Sequence, residues 1–121
     1  MSAEMIRQIH QALGPVTAQP DGTIVAQACF PDDFCGFAGH FPNAPILPAL
    51  AQLLTAQEVI RKIYGNVSIR EVFGAKYKRP VKPLELLEIC CYPQPLDKAC
   101  KIGLRVGTSE VSSFNFRLET E

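Results

Sequence analysis

Residues 48–65 read PALAQLLTAQEVIRKIYG, with Pro48 where a first helical turn would begin, Gly65 as terminator and no breaker between them. Apolar side chains fall at Leu50, Leu53, Leu54, Ile60 and Ile63, and charge is confined to Glu58, Arg61 and Lys62 near the end. This composition predicts a helix mostly buried at its start. Downstream only strand signals appear, at 68–77, 84–92, 99–106 and 111–118. Cys100, Ile102, Leu104 and Val106 alternate with Lys101, Gly103 and Arg105, while Phe114, Phe116 and Leu118 alternate with Asn115 and Arg117. One buried helix followed by four strands at hairpin spacing predicts an α+β fold in which one antiparallel sheet wraps the helix. Upstream, residues 4–13 place Met5, Ile6, Ile9 and Leu13 at helical spacing, stopped by Gly14-Pro15. A turn at Pro20-Asp21-Gly22 then leads into a strand over 23–30 and a long loop over 31–48.

The 121 residues, 47% hydrophobic and 20% charged, match one domain spanning 1–121. Twelve Lys and Arg balance twelve Asp and Glu, which argues against the basic footprint of a nucleic-acid binder. Pro42, Pro45 and Pro48 break the most apolar region, so no stretch approaches the roughly 20 apolar residues of a membrane helix. The first residues, with Glu4 among them, lack the apolar core of a secretory signal, and the expectation is a soluble cytoplasmic protein. Five cysteines (Cys29, Cys35, Cys90, Cys91, Cys100) without C-x-x-C spacing read as reduced thiols, and two histidines thirty residues apart do not supply a metal site. A mean hydropathy of +0.07 implies apolar surface covered by another subunit.

The run at 39–48, GHFPNAPILP, holds one histidine in a loop stiffened by three prolines, just ahead of the predicted helix. The first amides of a helix lack intrahelical acceptors and carry partial positive charge, so they can polarise a carbonyl while a neutral His40 takes a proton. From the residues alone, a packed or capping histidine is the competing account.

The segment Phe37-Ala38-Gly39-His40-Phe41-Pro42-x-x-Pro45-Ile46-Leu47-Pro48 resembles the active-site segment of the hot-dog 3-hydroxyacyl-[acyl-carrier-protein] dehydratases. A second run, Lys76-Tyr77-Lys78-Arg79-Pro80-Val81-Lys82-Pro83-Leu84-Glu85, is similar to that family's basic-aromatic strand and Pro-Val-x-Pro-Gly-Asp turn. The resemblance is sharp over about residues 34 to 90 and architectural afterwards. It implies a hot-dog fold, with the sheet wrapped around one long central helix and a short N-terminal helix. It also implies His40 as the base that removes the α-proton of a 3-hydroxyacyl thioester. The thioester carbonyl would sit on a backbone amide at Ala49 or Leu50, and water would leave to give a trans-2-enoyl thioester. No cofactor is implied, because the substrate is carried on the phosphopantetheine of an acyl-carrier protein. The implied assembly is a homodimer or a higher oligomer of dimers.

Three positions depart from the family pattern. The family's Glu or Asp, fourteen residues after the histidine and contributed across the dimer, is here Leu54. Ala49 replaces the usual Gly at the helix start, and Leu84 replaces the turn glycine. Glu58, one turn beyond Leu54, is the candidate substitute acid, although its position reads more simply as a solvated helix-end charge. Gln52 and Gln57 can hydrogen-bond a hydroxyl or a water without acting as acids, and Asp32 and Asp33 read as turn residues. Seven of the twelve cationic residues lie within 61–82 against one acid, Glu71. Lys76, Lys78, Arg79 and Lys82 in that run form a candidate carrier-protein patch, with Tyr77 turned inward by alternation and His10 inert on the first helix. Two other functions compete with the dehydratase: an acyl-thioesterase, and a non-catalytic acyl-thioester-binding subunit, the latter because of Leu54.

Overall fold

The computed structural model describes residues 3–37, 45–94 and 99–120. Within them lie two α-helices, α1 (Ala3–Ala12) and α2 (Ala49–Tyr64), and a short 3-10 turn at Cys35–Phe37. The strands are β1 (Thr17–Ala18), β2 (Ile24–Cys29), β3 (Val67–Tyr77), β4 (Leu86–Gln94), β5 (Ala99–Val106) and β6 (Ser109–Thr120). They form one antiparallel sheet in the order β1-β2-β4-β5-β6-β3. Chain neighbours β2 and β3 are thus far apart in the sheet, and α2 makes the crossing between them. The α+β expectation holds: the inward sides of the strands close over α2.

The late alternation sets the sheet's faces. Cys100, Ile102, Leu104, Phe114 and Phe116 are fully buried and share one core with Leu54, Val59 and Ile60 of α2. Cys90 and Cys91 point to opposite faces, the first half-buried and the second buried. The Cys100 sulfur and burial together push the Cys91 thiol well up. In the turn before β2, the Thr23 amide donates to Asp21 Oδ1 at 2.9 Å and Gly22 takes a φ of 93°, in keeping with the turn expected at Pro20-Asp21-Gly22.

Two readings of the sequence are corrected. Tyr77 is exposed rather than turned inward, because β3 is an edge strand exposed on both faces over residues 70–77, Lys76 and Tyr77 alike. The fourth strand begins at Leu86, where the resemblance to the family's turn puts it, rather than at 84 as the strand pattern alone predicts, because Leu84 sits in a turn with a φ of 69°. Its amide donates to the Phe30 carbonyl at 2.8 Å, which holds it there, while its side chain is 62% exposed.

A branched side chain at positive φ is strained by roughly 1 kcal/mol, and glycine is not. Leu84→Gly removes little burial, and relief of the strain outweighs the roughly 0.5 kcal/mol that glycine's freer unfolded chain costs, so the variant should gain about 0.5 kcal/mol of stability. Urea unfolding would show this as a raised midpoint with an unchanged slope. An unchanged or lowered midpoint would mean that the Leu84 side chain contributes more than its backbone strain costs.

Candidate active site

Pro48 stands at the N-cap of α2 in extended conformation (φ −69°, ψ 158°) and supplies no side-chain cap. The Gln52 amide donates to the Pro48 carbonyl at 3.1 Å. The amides of Ala49, Leu50 and Ala51 therefore precede the first turn's hydrogen bond and have no acceptor within the helix. Ala49 and Leu50 are exposed, Leu50 by 50%, so the helix is not buried at its start as its composition suggests. Ala49, with Pro48 and Gln52, lines a cleft of about 390 Å³ between the helix start and the end of β3, bounded on the far side by Tyr77, Lys78, Arg79 and Pro80. An exposed, uncapped helix N-terminus can accept a carbonyl oxygen and stabilise charge developing on it. His40, the expected base, lies outside the described residues.

The pre-helix backbone is pinned twice. The Leu47 amide donates to the Val81 carbonyl at 2.8 Å, and the Leu47 carbonyl accepts from Gln52 Nε2 at 3.2 Å. Gln52 Oε1 in turn accepts from the Ser112 hydroxyl on β6 at 2.8 Å. Gln52 and Ser112 are both buried. The helix pattern marks Gln52 only as a residue able to hydrogen-bond, and nothing local in the sequence marks Ser112, which is 60 positions away.

The basic run is partly neutralised by acids from outside it. Lys78 pairs with Glu110 at 2.9 Å and Arg79 with Glu85 at 2.8 Å, and Lys78 and Arg79 hold these carboxyls below the usual range. The Lys82 backbone amide also donates to Glu85, at 2.8 Å, which closes the Pro80–Glu85 turn on its own side chains. Nη1 of Arg79 is buried with no hydrogen-bond partner among the described residues. Lys76 and Lys82 are exposed.

The family model described as ApeI-like, the ApeI dehydratase, matches residues 16–115. The chain belongs to the ApeI-like dehydratase family. It is 35% identical over 65 residues to a 3-hydroxyacyl-[acyl-carrier-protein] dehydratase FabZ from Granulibacter bethesdensis, a match covering 46% of this chain and 38% of that protein. The fold is shared with the dehydratase heterocomplex ApeI:P from Xenorhabdus doucetiae, at a TM-score of 0.79, 17% identity, and coverage of 88% of this chain and 95% of that one. The TT0310 protein from Thermus thermophilus has the same fold at a TM-score of 0.69 and 13% identity, covering 98% of this chain and 97% of that one. The hot-dog assignment rests on both the topology and these likenesses.

For an ApeI-like chain, the two positions of chief interest on α2 are Leu54 and Glu58. Leu54 is 2% exposed and packed in the core. Glu58 is not a solvated helix-end charge, since it is only 5% exposed. Helix α1 lies over it, and His10 Nε2 meets Glu58 Oε1 at 2.8 Å. Gln57 Nε2 donates to its other oxygen at 3.1 Å, and Arg61 Nε stands 3.7 Å away. His10 is therefore an anchor between helices rather than an inert surface residue. To act as the substitute acid, Glu58 would have to leave these partners, and it does not line the cleft. The signal that could have found the pair is a histidine on the helix that must cover α2. Asp32 and Asp33 are exposed turn residues, in line with the sequence pattern.

Removing the imidazole leaves a buried carboxylate with fewer partners, so His10→Ala should cost about 1 to 3 kcal/mol in urea unfolding. A cost below about 0.5 kcal/mol, the level of a neutral surface change, would show that the pair does not hold α1 to α2. Glu85 carries a pH consequence. Its folded-state pKa is depressed, so its stabilising contribution is present above the unfolded value of about 4.3 and is lost as pH falls below it. Glu85→Gln should flatten the decline of stability with falling pH in that acid range, and an unaltered acid profile would remove the Arg79–Glu85 pair from the account.

Proposed function

We propose that the chain acts as a dehydratase on 3-hydroxyacyl thioesters, carried on the phosphopantetheine of an acyl-carrier protein, releasing water and a trans-2-enoyl thioester. The observation that carries this reading is the exposed, uncapped start of α2 at the mouth of the cleft, in a chain of a dehydratase family. In the proposed reaction the amides of Ala49 and Leu50 hold the thioester oxygen as enolate charge develops. His40 takes the α-proton in its neutral form and returns a proton, directly or through water, to the departing 3-hydroxyl. Leu54 cannot perform that second transfer. Lys76 and Lys82, with Lys78 and Arg79 behind their acid partners, would receive the acidic carrier.

The proposed working unit is a pair of copies. The outer edge of β3 has no strand partner among the described residues. Val72 and Phe73 are exposed on that strand, and Leu50 and Tyr64 lie exposed on α2. A long edge strand with exposed apolar side chains favours pairing with another such edge. A second reading, a non-catalytic acyl-thioester-binding subunit, draws on Leu54 and its burial in the core.

The test follows the ultraviolet absorbance of a trans-2-enoyl thioester during its reversible hydration. The wild-type protein should hydrate it, and His40→Ala should lower the rate by about 10²- to 10⁴-fold, the usual range for a lost general base. Equal rates in the two proteins would sink the assignment of His40. Saturable thioester binding without hydration would favour the non-catalytic reading, and release of free thiol would favour a thioesterase.

A further inference from the structure

Gln52 is a buried amide on a helix whose neighbouring buried positions are Ala51, Leu54, Thr55 and Ala56. Burying a polar side chain brings little net stability even when its hydrogen bonds are made, so a leucine would serve the core as well. What an apolar residue could not do is hold the chain ahead of the helix. Pro45 and Pro48 have no backbone N–H, so within 45–48 only Ile46 and Leu47 can donate from the main chain. The Leu47 peptide is gripped from both sides, its amide by Val81 and its carbonyl by Gln52 Nε2. Gln52 is itself fixed by Ser112, which β6 presents from the sheet interior between β5 and β3. A continuous link thus runs from the sheet to the peptide two residues ahead of Ala49.

We infer that Gln52, locked by Ser112, is a positioning residue that sets the direction of the first α2 amides through the Leu47 carbonyl. This inference rests on the proposal that those amides bind the thioester oxygen. Without the link, Pro48 and the uncapped first turn can move by a fraction of an ångström. Displacements near 1 Å can cost about a hundredfold in rate. Gln52 borders the cleft, but its side-chain amide is committed to the Leu47 carbonyl and the Ser112 hydroxyl, so its effect belongs to turnover more than to binding.

The experiment uses the full chain and its Gln52→Leu and Ser112→Ala variants, with two readouts. Amide hydrogen exchange should accelerate at Leu47 and at position 52, the first helix amide with an acceptor, by at least about tenfold in Gln52→Leu, and less in Ser112→Ala, while β5 exchanges as in wild type. Enoyl-thioester hydration should lose about 10- to 100-fold in kcat, with KM within about threefold. Unchanged exchange at Leu47, or unchanged kcat in an active protein, overturns the inference. A loss of kcat matched by faster exchange throughout the sheet does the same, because it reports general unfolding. If Gln52→Leu fails to fold, Ser112→Ala, which removes only the far end of the link, decides by the same criteria. If wild type hydrates no enoyl thioester, the dehydratase reading falls while exchange at Leu47 still judges the link.

Discussion

Enclosure of α2 by the sheet is the constraint on which the rest depends. A crossing from β2 at one side of the sheet to β3 at the far edge must pass over the inward face, and the helix that makes it is covered by strands along most of its length. Leu54, Val59 and Ile60 consequently lie in one cluster with Ile102, Leu104, Phe114 and Phe116. Truncating any such residue to alanine would cost about 2 to 5 kcal/mol, so the placement of the helix is fixed by its core contacts. The ends of the helix cannot be enclosed in the same way. The N-terminal end opens beside the last residues of β3, where Tyr77, Lys78 and Arg79 form the opposite wall. A cleft between a helix N-terminus and a basic strand end is thus a consequence of the crossover, before any residue is chosen for chemistry.

Within that enclosure, polar side chains fix what apolar packing leaves free. Hydrophobic contact does not specify a helix's rotation about its own axis to a fraction of an ångström, whereas a hydrogen bond does. Two anchors serve α2 at different levels. Near its start Gln52 reaches Ser112 of the sheet, and farther along Glu58 reaches His10 of the covering helix. Neither pair brings much net stability, but an unpaired member would be costly. Together they tie the helix to the sheet on one side and to α1 on the other.

The parts of this arrangement that are legible in the sequence are those governed by local pattern. The central helix, the strand at Ala99–Val106 and the inward set Cys100, Ile102, Leu104, Phe114 and Phe116 all follow from periodicity. Periodicity misplaces Tyr77 because alternation presumes one covered face, whereas β3, at the edge of the sheet, is exposed on both faces over residues 70–77. It misplaces Glu58 because a helical pattern cannot reveal that α1 will cover that face and bring a histidine to it. Ser112 leaves no trace, since its role depends on a partner 60 positions away. Leu84 is a different case. The turn's need for glycine is visible, yet the bond to the Phe30 carbonyl that holds a leucine there is not. At the site, the helix start is legible and the commitments of the nearby side chains are not.

The burial of Leu54 bears on where an acid for the proposed reaction could come from. With α2 oriented by Gln52 and Glu58, the less-buried stripe of the helix runs through Leu50, Leu53, Gln57 and Tyr64, and Leu54 falls beside it, inside the subunit's own core. A carboxylate at 54 in this orientation would be buried among apolar side chains, where its charged form is disfavoured. To bring it outward, the helix would have to turn, and turning would break both anchors. Gln57, on the open stripe, is engaged with the Ile69 amide and with Glu58. No carboxylate of α2 therefore both faces outward and is unengaged, since Glu58 is the helix's one acid and is held by α1. In the proposed chemistry, the proton returned to the leaving hydroxide must come from His40 itself, from water, or from the subunit that covers the β3 edge. The same apolar character that raises the mean hydropathy thus has two separate locations. One is an outer surface suited to a partner, and the other is an inner residue that makes the proposed reaction depend on something other than its own helix for acid.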